Sequence, residues 1–511
     1  MLTKVSSVAN YGLKAVDVEV EVNVAERGFP GFGIVGMSGK SVEETRERVK
    51  TALINSDIEF PTAKITVNLA PADLPKEGSA YDLPIAVGIL GSMAEIEVPK
   101  NKAYFFGELS LDGSLRHTKG IFLLAVLAKE QGVKDIYVPR MCANEASVIE
   151  GINVYAVDCL RTLIRHLKND KLIQPLTIVK KEELFGDIHP EFDFSEVLGQ
   201  EMAKRALEIA AAGGHNIFMM GPPGSGKTML SRAVAGILPD LTERESLEVT
   251  KIFSITGNIP AGGSLVRQRP FRSPHHTTSQ IGLIGGGSIP HPGEVSMAHR
   301  GVLFLDEFPE FGRNSLEALR QPLEDGQVTI TRAAGSINFP AQFMLVAAAN
   351  PCPCGFLGDL KKECKCNVHQ IMNYQKKLSG PIMDRIDLHL NVPAVDVNKL
   401  MLDSKKGDGA EKSEEVKKRV TAARNIQKER FAKCSGVHCN ADMKNSHLKD
   451  FAALTPEANL LLKQAVNKYN LSARTYFRLI KVSRTIADLG GAKDIADSHV
   501  AEALQFRVRN D

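Results

Sequence analysis

The 511-residue sequence has no run that approaches the ~18 uninterrupted apolar residues of a membrane-spanning helix. No membrane partner is therefore expected. The opening residues, MLTKVSSVANYGLKAVDVEV, place no basic segment ahead of an apolar one, so no secretory leader is expected. Cysteine is scarce, with eight residues, four of them close together. In a long chain without a leader, such clustering points to metal binding or packing more than to disulfides. The expected compartment is a reducing cytoplasm. Net charge is small: 63 Lys and Arg against 60 Asp and Glu leave +3. Overall charge thus does not mark a nucleic-acid binder, and any basic surface must be local. No internal repeat is present.

What remains is ordinary globular usage, 43% apolar and 24% charged, which excludes collagen, coiled-coil rods and wholly disordered tails. At ~150 residues per domain the length suggests about three domains. Residues 1–170 read as an α+β unit. Val16, Val18, Val20 and Val22 alternate with polar neighbours as a half-buried strand. A charged helix opens at Ser41, a second strand covers 64–69, and an apolar helix starts at Asp82. A glycine-punctuated β region, a helix over 122–131 and a strand over 135–138 follow. Residues 171–194, with Pro175 and Pro190 and weak periodicity, read as a linker. Residues 195–393 alternate strands and helices, which predicts a parallel α/β sheet. The stretch 401–415 is polar. The block 394–511 is otherwise helical. Its last hundred residues, 412–511, carry 19 Lys and Arg against 11 Asp and Glu. That excess fits either a solvated helical surface or an anionic partner.

The strongest motif is Gly221-Pro222-Pro223-Gly224-Ser225-Gly226-Lys227-Thr228, between a short apolar strand at 216–220 and a helical pattern. This is the phosphate loop GxxxxGK[ST] in its required strand–loop–helix setting. Glycines let backbone N–H groups face phosphates, and the helix N-terminus adds partial positive charge. Lys227 is assigned to the β- and γ-phosphates, and Thr228 to Mg2+. About 80 residues on, the apolar strand 302–305 ends in Asp306 and Glu307. Asp306 suits a magnesium ion, and Glu307 suits polarising the attacking water of phosphoryl transfer. A third apolar strand, 343–349, ends in Asn350, placed to orient that water, since ligands bind at the carboxyl ends of such strands.

In this order the residues resemble the AAA+ ATPases. Val197, with Gly199 and Gln200, is similar to their adenine-side box. Asn350 matches sensor 1. Arg385, within Gly380-Pro381-Ile382-Met383-Asp384-Arg385-Ile386-Asp387, resembles the arginine finger, and Arg474 of Ser472-Ala473-Arg474 resembles sensor 2. The motifs Pro270-Phe271-Arg272-Ser273-Pro274-His275-His276-Thr277, Gly285-Gly286-Gly287, Pro292-Gly293-Glu294-Val295-Ser296-Met297-Ala298-His299 and Asn350-Pro351-Cys352-Pro353-Cys354-Gly355 narrow this to the magnesium-chelatase subgroup. End to end the chain is similar to the bacterial YifB/ComM family. That resemblance implies an AAA+ P-loop domain with a helical lid, ATP and Mg2+ as cofactors, and a ring, expected to be a hexamer.

The first unit resembles the Lon protease domain, a ribosomal-protein-S5-like α+β fold, through the stretch Val67 to Gly78 and through Gly107-Glu108-Leu109-Ser110-Leu111-Asp112-Gly113. Peptidase chemistry does not carry over. The nucleophile position falls on Ala80, with Ser79 one residue early. The lysine position falls on Phe122, with Lys119 three residues off register. A scaffolding or DNA-facing role is expected instead.

Residues 327–332 and 336–339 flank Ala333-Ala334-Gly335 as a β-hairpin. Such a hairpin either enters a ring's pore, where Arg332 meets DNA phosphate, or serves as a structural subunit contact. The segment 256–298, rich in Gly, Pro and His, resembles a loop insertion that also reaches the pore. Cys352, Cys354, Cys364 and Cys366 bracket a loop carrying Lys361, Lys362 and Lys365. They are either a tetrahedral Zn2+ site or four reduced thiols. Cys434, His438 and Cys439 are read as packing. The family resemblance implies a DNA branch-migration helicase serving recombination in natural transformation. The alternative is a magnesium-chelatase-like remodelling motor that does not act on nucleic acid.

Overall fold

The computed structural model describes the chain except residues 1, 26–28, 37–38, 73, 75, 77, 177–191, 260–262, 288–289, 333–334, 360–361, 379, 395–410, 435 and 508–511. Most of the expected linker, most of the polar stretch 401–415, the hairpin turn Ala333-Ala334 and Lys361 lie outside the described residues. Two compact units are present: 1–187 with 243–266, and 188–242 with 267–511. No helix among the described residues is long and apolar enough to cross a membrane.

The first unit is built on a seven-stranded mixed sheet. Its strands are β1 (Leu2–Tyr11), β2 (Lys14–Val24), β3 (Gly31–Val35), β4 (Lys64–Ala70), β5 (Ala103–Phe105), β8 (Asp135–Pro139) and β9 (Asn153–Val157). A small ladder of β6 (Glu108–Leu109) and β7 (Leu115–Arg116) stands apart. The sheet order is β3-β4-β2-β1-β5-β8-β9. The expected alternation holds: Val18, Val20 and Val22 on β2 are fully buried. The helix Asp82–Ser92 is buried along its whole length, which explains why its sequence is apolar without period. Phe122 is fully buried, and the Ser79 hydroxyl donates to the Glu108 carboxylate instead of meeting a lysine amine.

Residues 243–266, read in the sequence as part of the 195–393 block, pack with this first unit. The helix Glu243–Thr256 buries Val249 and Ile252. Its Ser254 hydroxyl donates to Glu145 Oε2 at 2.8 Å and accepts the Phe122 N–H at 3.3 Å. An amphipathic helix declares that it has a buried face but not which core receives it, so the sequence could not show the transfer.

The second unit holds the expected parallel sheet. Its strands are β10 (Ile217–Met220), β11 (Phe271–Arg272), β14 (Val302–Leu305), β17 (Met344–Ala349) and β18 (Leu388–Asn391). Two small ladders join β12 (Gly285–Gly286) to β13 (His291–Pro292) and β15 (Gln327–Arg332) to β16 (Gly335–Pro340). The main order is β11-β14-β17-β10-β18, and every pairing is parallel. β14 and β17 are buried on both faces, as their unbroken apolar runs require. Helices Ser413–Arg430, Pro456–Tyr469, Ala473–Leu489 and Asp497–Gln505 complete the unit. Their apolar stripes, Val416, Val420, Leu462, Ile486 and Val500 among them, join one core with the helix Glu201–Gly213 and the sheet.

Two buried carboxyls give the first unit a pH signature. Burial pushes Asp82 up to about 6, although Arg48 reaches it at 2.7 Å, and pushes Glu145 up to about 7. In the unfolded chain both groups ionise near their ordinary values, so the folded unit binds protons more tightly between about pH 4 and 7. Stability is then full below that window and falls as pH rises through it, by up to about 3 kcal/mol for Glu145. Hydrogen–deuterium exchange on the β8 amides will show protection falling from pH 5 to pH 7.5. In Glu145→Gln the fall will be smaller, and an identical fall in the two proteins would refute the assignment.

Candidate active site

The residues assigned to phosphate and magnesium gather where one sheet edge ends. β10 pairs with β17 on one side and β18 on the other. The chain therefore changes direction across the sheet at β10, the kind of switch point where parallel sheets bind ligands beyond their strand ends. Residues 221–226 leave β10 there and enter the helix Lys227–Ile237. Gly224 and Gly226 adopt left-handed φ of 75° and 87°, and a Cβ at either would meet open space. That open, glycine-lined cradle fits a phosphate chain. Gly221 serves differently: a Cβ there would lie 2.1 Å from the Val392 carbonyl oxygen. Only glycine lets the loop pass this close to the end of β18.

Lys227 is buried and its amine is multiply held. It donates to the carbonyls of Gly221 at 2.7 Å and Pro222 at 2.8 Å, and approaches Asn350 Oδ1 at 3.3 Å. Burial pulls its pKa below the ordinary lysine value, while the Asp306 charge pushes the other way. A phosphate is a better counter-charge than two carbonyls, so the amine is poised for an anion. The Thr228 hydroxyl donates to Asp306 Oδ2 at 2.9 Å. One hydroxyl and one carboxylate in contact at a strand end form the oxygen donor set that a magnesium ion takes.

Asp306 Oδ1 accepts the Glu307 N–H at 2.9 Å, and Glu307 itself is left-handed, with φ 51°. For a non-glycine residue that conformation costs on the order of 1 kcal/mol, and it aims the side chain away from the strand path. His276 Nδ1 lies 3.1 Å from Glu307 Oε2. The His275 and His276 rings pack with centroids 4.1 Å apart. His276 was visible in the sequence only as part of a motif, and its pairing with Glu307 was not visible there.

Arg385 and Arg474 come together, but elsewhere. Arg385 Nη2 lies 2.8 Å from Glu324 Oε2, and Arg474 pairs with the other oxygen of the same carboxylate. The Arg385 side holds Glu324 below the usual carboxylate range. Among the described residues neither arginine bonds Lys227, Thr228, Asp306, Glu307 or Asn350. Glu324 had no signal in the sequence, because it sits in an ordinary polar helix end. The Arg385 segment is anchored by Asp387, whose carboxylate pairs with Arg478 and lies 3.5 Å from His215. Asn216, just ahead of β10, donates its side-chain amide to the Arg385 carbonyl at 3.2 Å and accepts the Leu345 N–H at 2.8 Å.

Val197 is buried in the core, while Gln200 bridges the Pro393 carbonyl at 2.7 Å and the Ser225 carbonyl at 3.4 Å. The adenine-side segment is thus tied to the phosphate loop through Gln200. Arg332 is exposed and donates to the Gly287 carbonyl at 3.1 Å, joining the β15–β16 hairpin to the glycine-rich insertion. The Sγ atoms of Cys352, Cys354, Cys364 and Cys366 lie within 4.8 Å of one another.

Comparison with known proteins places the chain in a family. The family description "Magnesium chelatase, subunit ChlI" matches residues 193–400, "Subunit ChlI of Mg-chelatase" matches 20–142, and "Magnesium chelatase, subunit ChlI C-terminal" matches 410–507. The chain is 42% identical to competence protein ComM of Haemophilus influenzae, over 99% of this chain and 97% of that one. It is equally identical, with the same coverage, to the uncharacterized protein YifB of Escherichia coli. The 38 kDa subunit of magnesium chelatase from Rhodobacter capsulatus is 28% identical over 32% of this chain and 51% of its own. The chain therefore belongs to the ComM/YifB family of magnesium-chelatase-like AAA+ proteins.

Proposed function

We propose that this protein is an ATP-driven ring motor on DNA, a branch-migration helicase that aids recombination of incoming strands. The observation that carries the ATPase reading is the convergence of Lys227, Thr228, Asp306 and Asn350 at the ends of three adjacent parallel strands. The relative named for competence supports DNA as the track. Magnesium ATP supplies the phosphoryl group to be transferred. Lys227 and the residue 221–226 cradle bind the phosphates, Thr228 and Asp306 hold the metal, and Asn350 orients water. Glu307 takes that water's proton. Arg385 acts as the finger on a neighbouring subunit's site and Arg474 serves as sensor 2, so a ring, in this reading a hexamer, is the working form. The helical block 394–511 is the lid, residues 1–170 form a Lon-like domain without peptidase activity, and the four cysteines hold Zn2+. The family matches to chelatase subunits favour a second reading, a remodelling motor indifferent to nucleic acid.

Lys227→Ala will abolish ATP turnover, and Glu307→Gln will bind ATP while losing hydrolysis. A phosphate-release assay beside a nucleotide-binding titration reads both. Near-normal turnover in Glu307→Gln would refute its role as base.

Arg385→Ala will bind nucleotide yet hydrolyse about 10³-fold more slowly, the scale of an arginine finger in phosphoryl transfer. Mixing it with Glu307→Gln will restore turnover at junctions that pair an intact finger with an intact base. If no mixing ratio restores activity, action across the subunit boundary is wrong.

Branched or single-stranded DNA will raise the ATPase rate, and binding will weaken steeply with salt, because phosphate contacts release counterions. Arg332→Ala will lower DNA-stimulated turnover and junction movement while sparing basal hydrolysis. A wild-type rate that no DNA form alters would favour the remodelling motor.

A further inference from the structure

The cysteine loop lies against the catalytic end of the sheet. Three Sγ···Sγ separations are 3.4, 3.6 and 3.6 Å, for Cys352–Cys354, Cys352–Cys364 and Cys354–Cys364. A disulfide needs about 2.05 Å, so these are not bonded pairs. Four thiolates at ~2.3 Å from one Zn2+ form a tetrahedron of edge about 3.8 Å, close to what is seen. Cys352 is fully buried and lies two residues past Asn350.

The loop also meets the phosphate cradle. Gly355 turns back so that its N–H donates to the Cys352 carbonyl at 2.9 Å. A Cβ on Gly355 would lie 2.5 Å from Pro223 Cδ and 3.8 Å from Asn350 Cγ. Past Cys366, the helix Val368–Lys376 brings buried Tyr374 within hydrogen-bonding reach of the Asn350 backbone. Asn350 thus has the thiolate loop on its chain side, Gly355 beside its amide, Tyr374 against its backbone and Lys227 at its oxygen.

We propose that zinc on Cys352, Cys354, Cys364 and Cys366 is a strut that sets the position of Asn350 and the Pro223 edge of the phosphate cradle, so that metal occupancy governs ATP turnover. The inference rests on the ATPase and zinc readings above. Asn350 acts on water, and the cysteines act through Asn350 as positioning residues. Because the cysteine loop meets Asn350 and the Pro223 edge and, among the described residues, is not a partner of the Lys227 amine, loss of the metal should reach the hydrolytic step more than the binding of nucleotide.

The test uses the full-length protein purified without chelator, assayed in excess Mg2+ and without DNA. Elemental analysis counts zinc per chain, a fluorescent nucleotide analogue reads binding, and phosphate release gives kcat and KM. The expected result is about one zinc per chain. Stripping it should cut kcat about tenfold or more, leave nucleotide affinity within about twofold, and be reversed by added Zn2+. Gly355→Ala keeps all four thiolates, so it should retain zinc yet show the same kcat loss. Co2+-substituted protein should show a thiolate-to-metal absorption band that shifts on adding a non-hydrolysable ATP analogue. Protein that binds no zinc overturns the site. Zinc-loaded protein whose kcat is unmoved by stripping or by Gly355→Ala overturns the coupling. Loss of nucleotide binding on stripping overturns positioning in favour of a scaffold for the whole cradle. A zinc-loaded wild type without turnover is instead a failure of the ATPase reading.

Discussion

One buried carboxylate, Asp387, holds the second unit's working parts in register. Burial alone would raise its pKa, but Arg478 and His215 outweigh that and hold the carboxyl well below its usual range. Its Oδ2 also accepts the Asn216 N–H at 3.1 Å. Three pieces of chain therefore converge on one charge: the entry to β10, the segment carrying Arg385, and the helix carrying Arg474 and Arg478. Breaking such a pair leaves an uncompensated buried charge, which costs on the order of 3–5 kcal/mol. The polar contacts continue outward. His215 meets the Thr485 hydroxyl at 2.8 Å, Thr485 accepts from Asn440 at 3.0 Å, and Asn440 donates to Asp488, which Arg430 and Arg484 neutralise. The sheet and the C-terminal helices are thus joined by a chain of polar contacts as well as by apolar packing, which fixes one geometry where hydrophobic contact alone would permit several.

From that anchor the parallel register does the rest. Ile217 pairs with Val346 and Leu388, and Leu305 with Ala347, so β10, β14 and β17 all end at one edge. β14 and β17 deliver Asp306 and Asn350 just beyond their last residues, and β10 leads into the phosphate loop. Glu307 departs from strand geometry at that edge, and the strain at φ 51° persists because Asp306 and His276 bind its backbone and side chain. A carboxylate held off its strand by a histidine has a defined rest position from which water or substrate can recruit it.

Much of this was legible in the sequence because its signals are local. The glycine spacing of the phosphate loop, the apolar run ending in Asp306 and the paired cysteines each lie within a few residues, and the structure brings Lys227, Thr228, Asp306 and Asn350 into contact. What was not legible depends on distant pairings. Glu324 is 61 residues from Arg385 and 150 from Arg474, and nothing in its surroundings marks it. Asp387 was visible only as a neighbour of Arg385, a flanking charge, not as the buried anchor it is. Helix Glu243–Thr256 was read only as part of the 195–393 block, and nothing local marked that the first unit's core would take it. Residues 401–410 lie outside the described residues.

The Arg385–Glu324–Arg474 group bears on why assembly should matter to turnover. Two guanidinium groups on one carboxylate leave a net single positive charge, the other being offset by Glu324. A subunit by itself thus holds both arginines on its own Glu324, while its phosphate cradle keeps the lysine and the acid pair. On the proposed reading, a triphosphate presented by a neighbour carries more negative charge than Glu324 and draws Arg385 forward, since bidentate contact with phosphate is stronger than sharing one carboxylate. Glu324 is therefore a competitor for Arg385 that only a nucleotide-loaded neighbour displaces. On that reading hydrolysis is coupled to ring closure through the Arg385–Glu324 pair, beside a sheet that Asp387 keeps fixed.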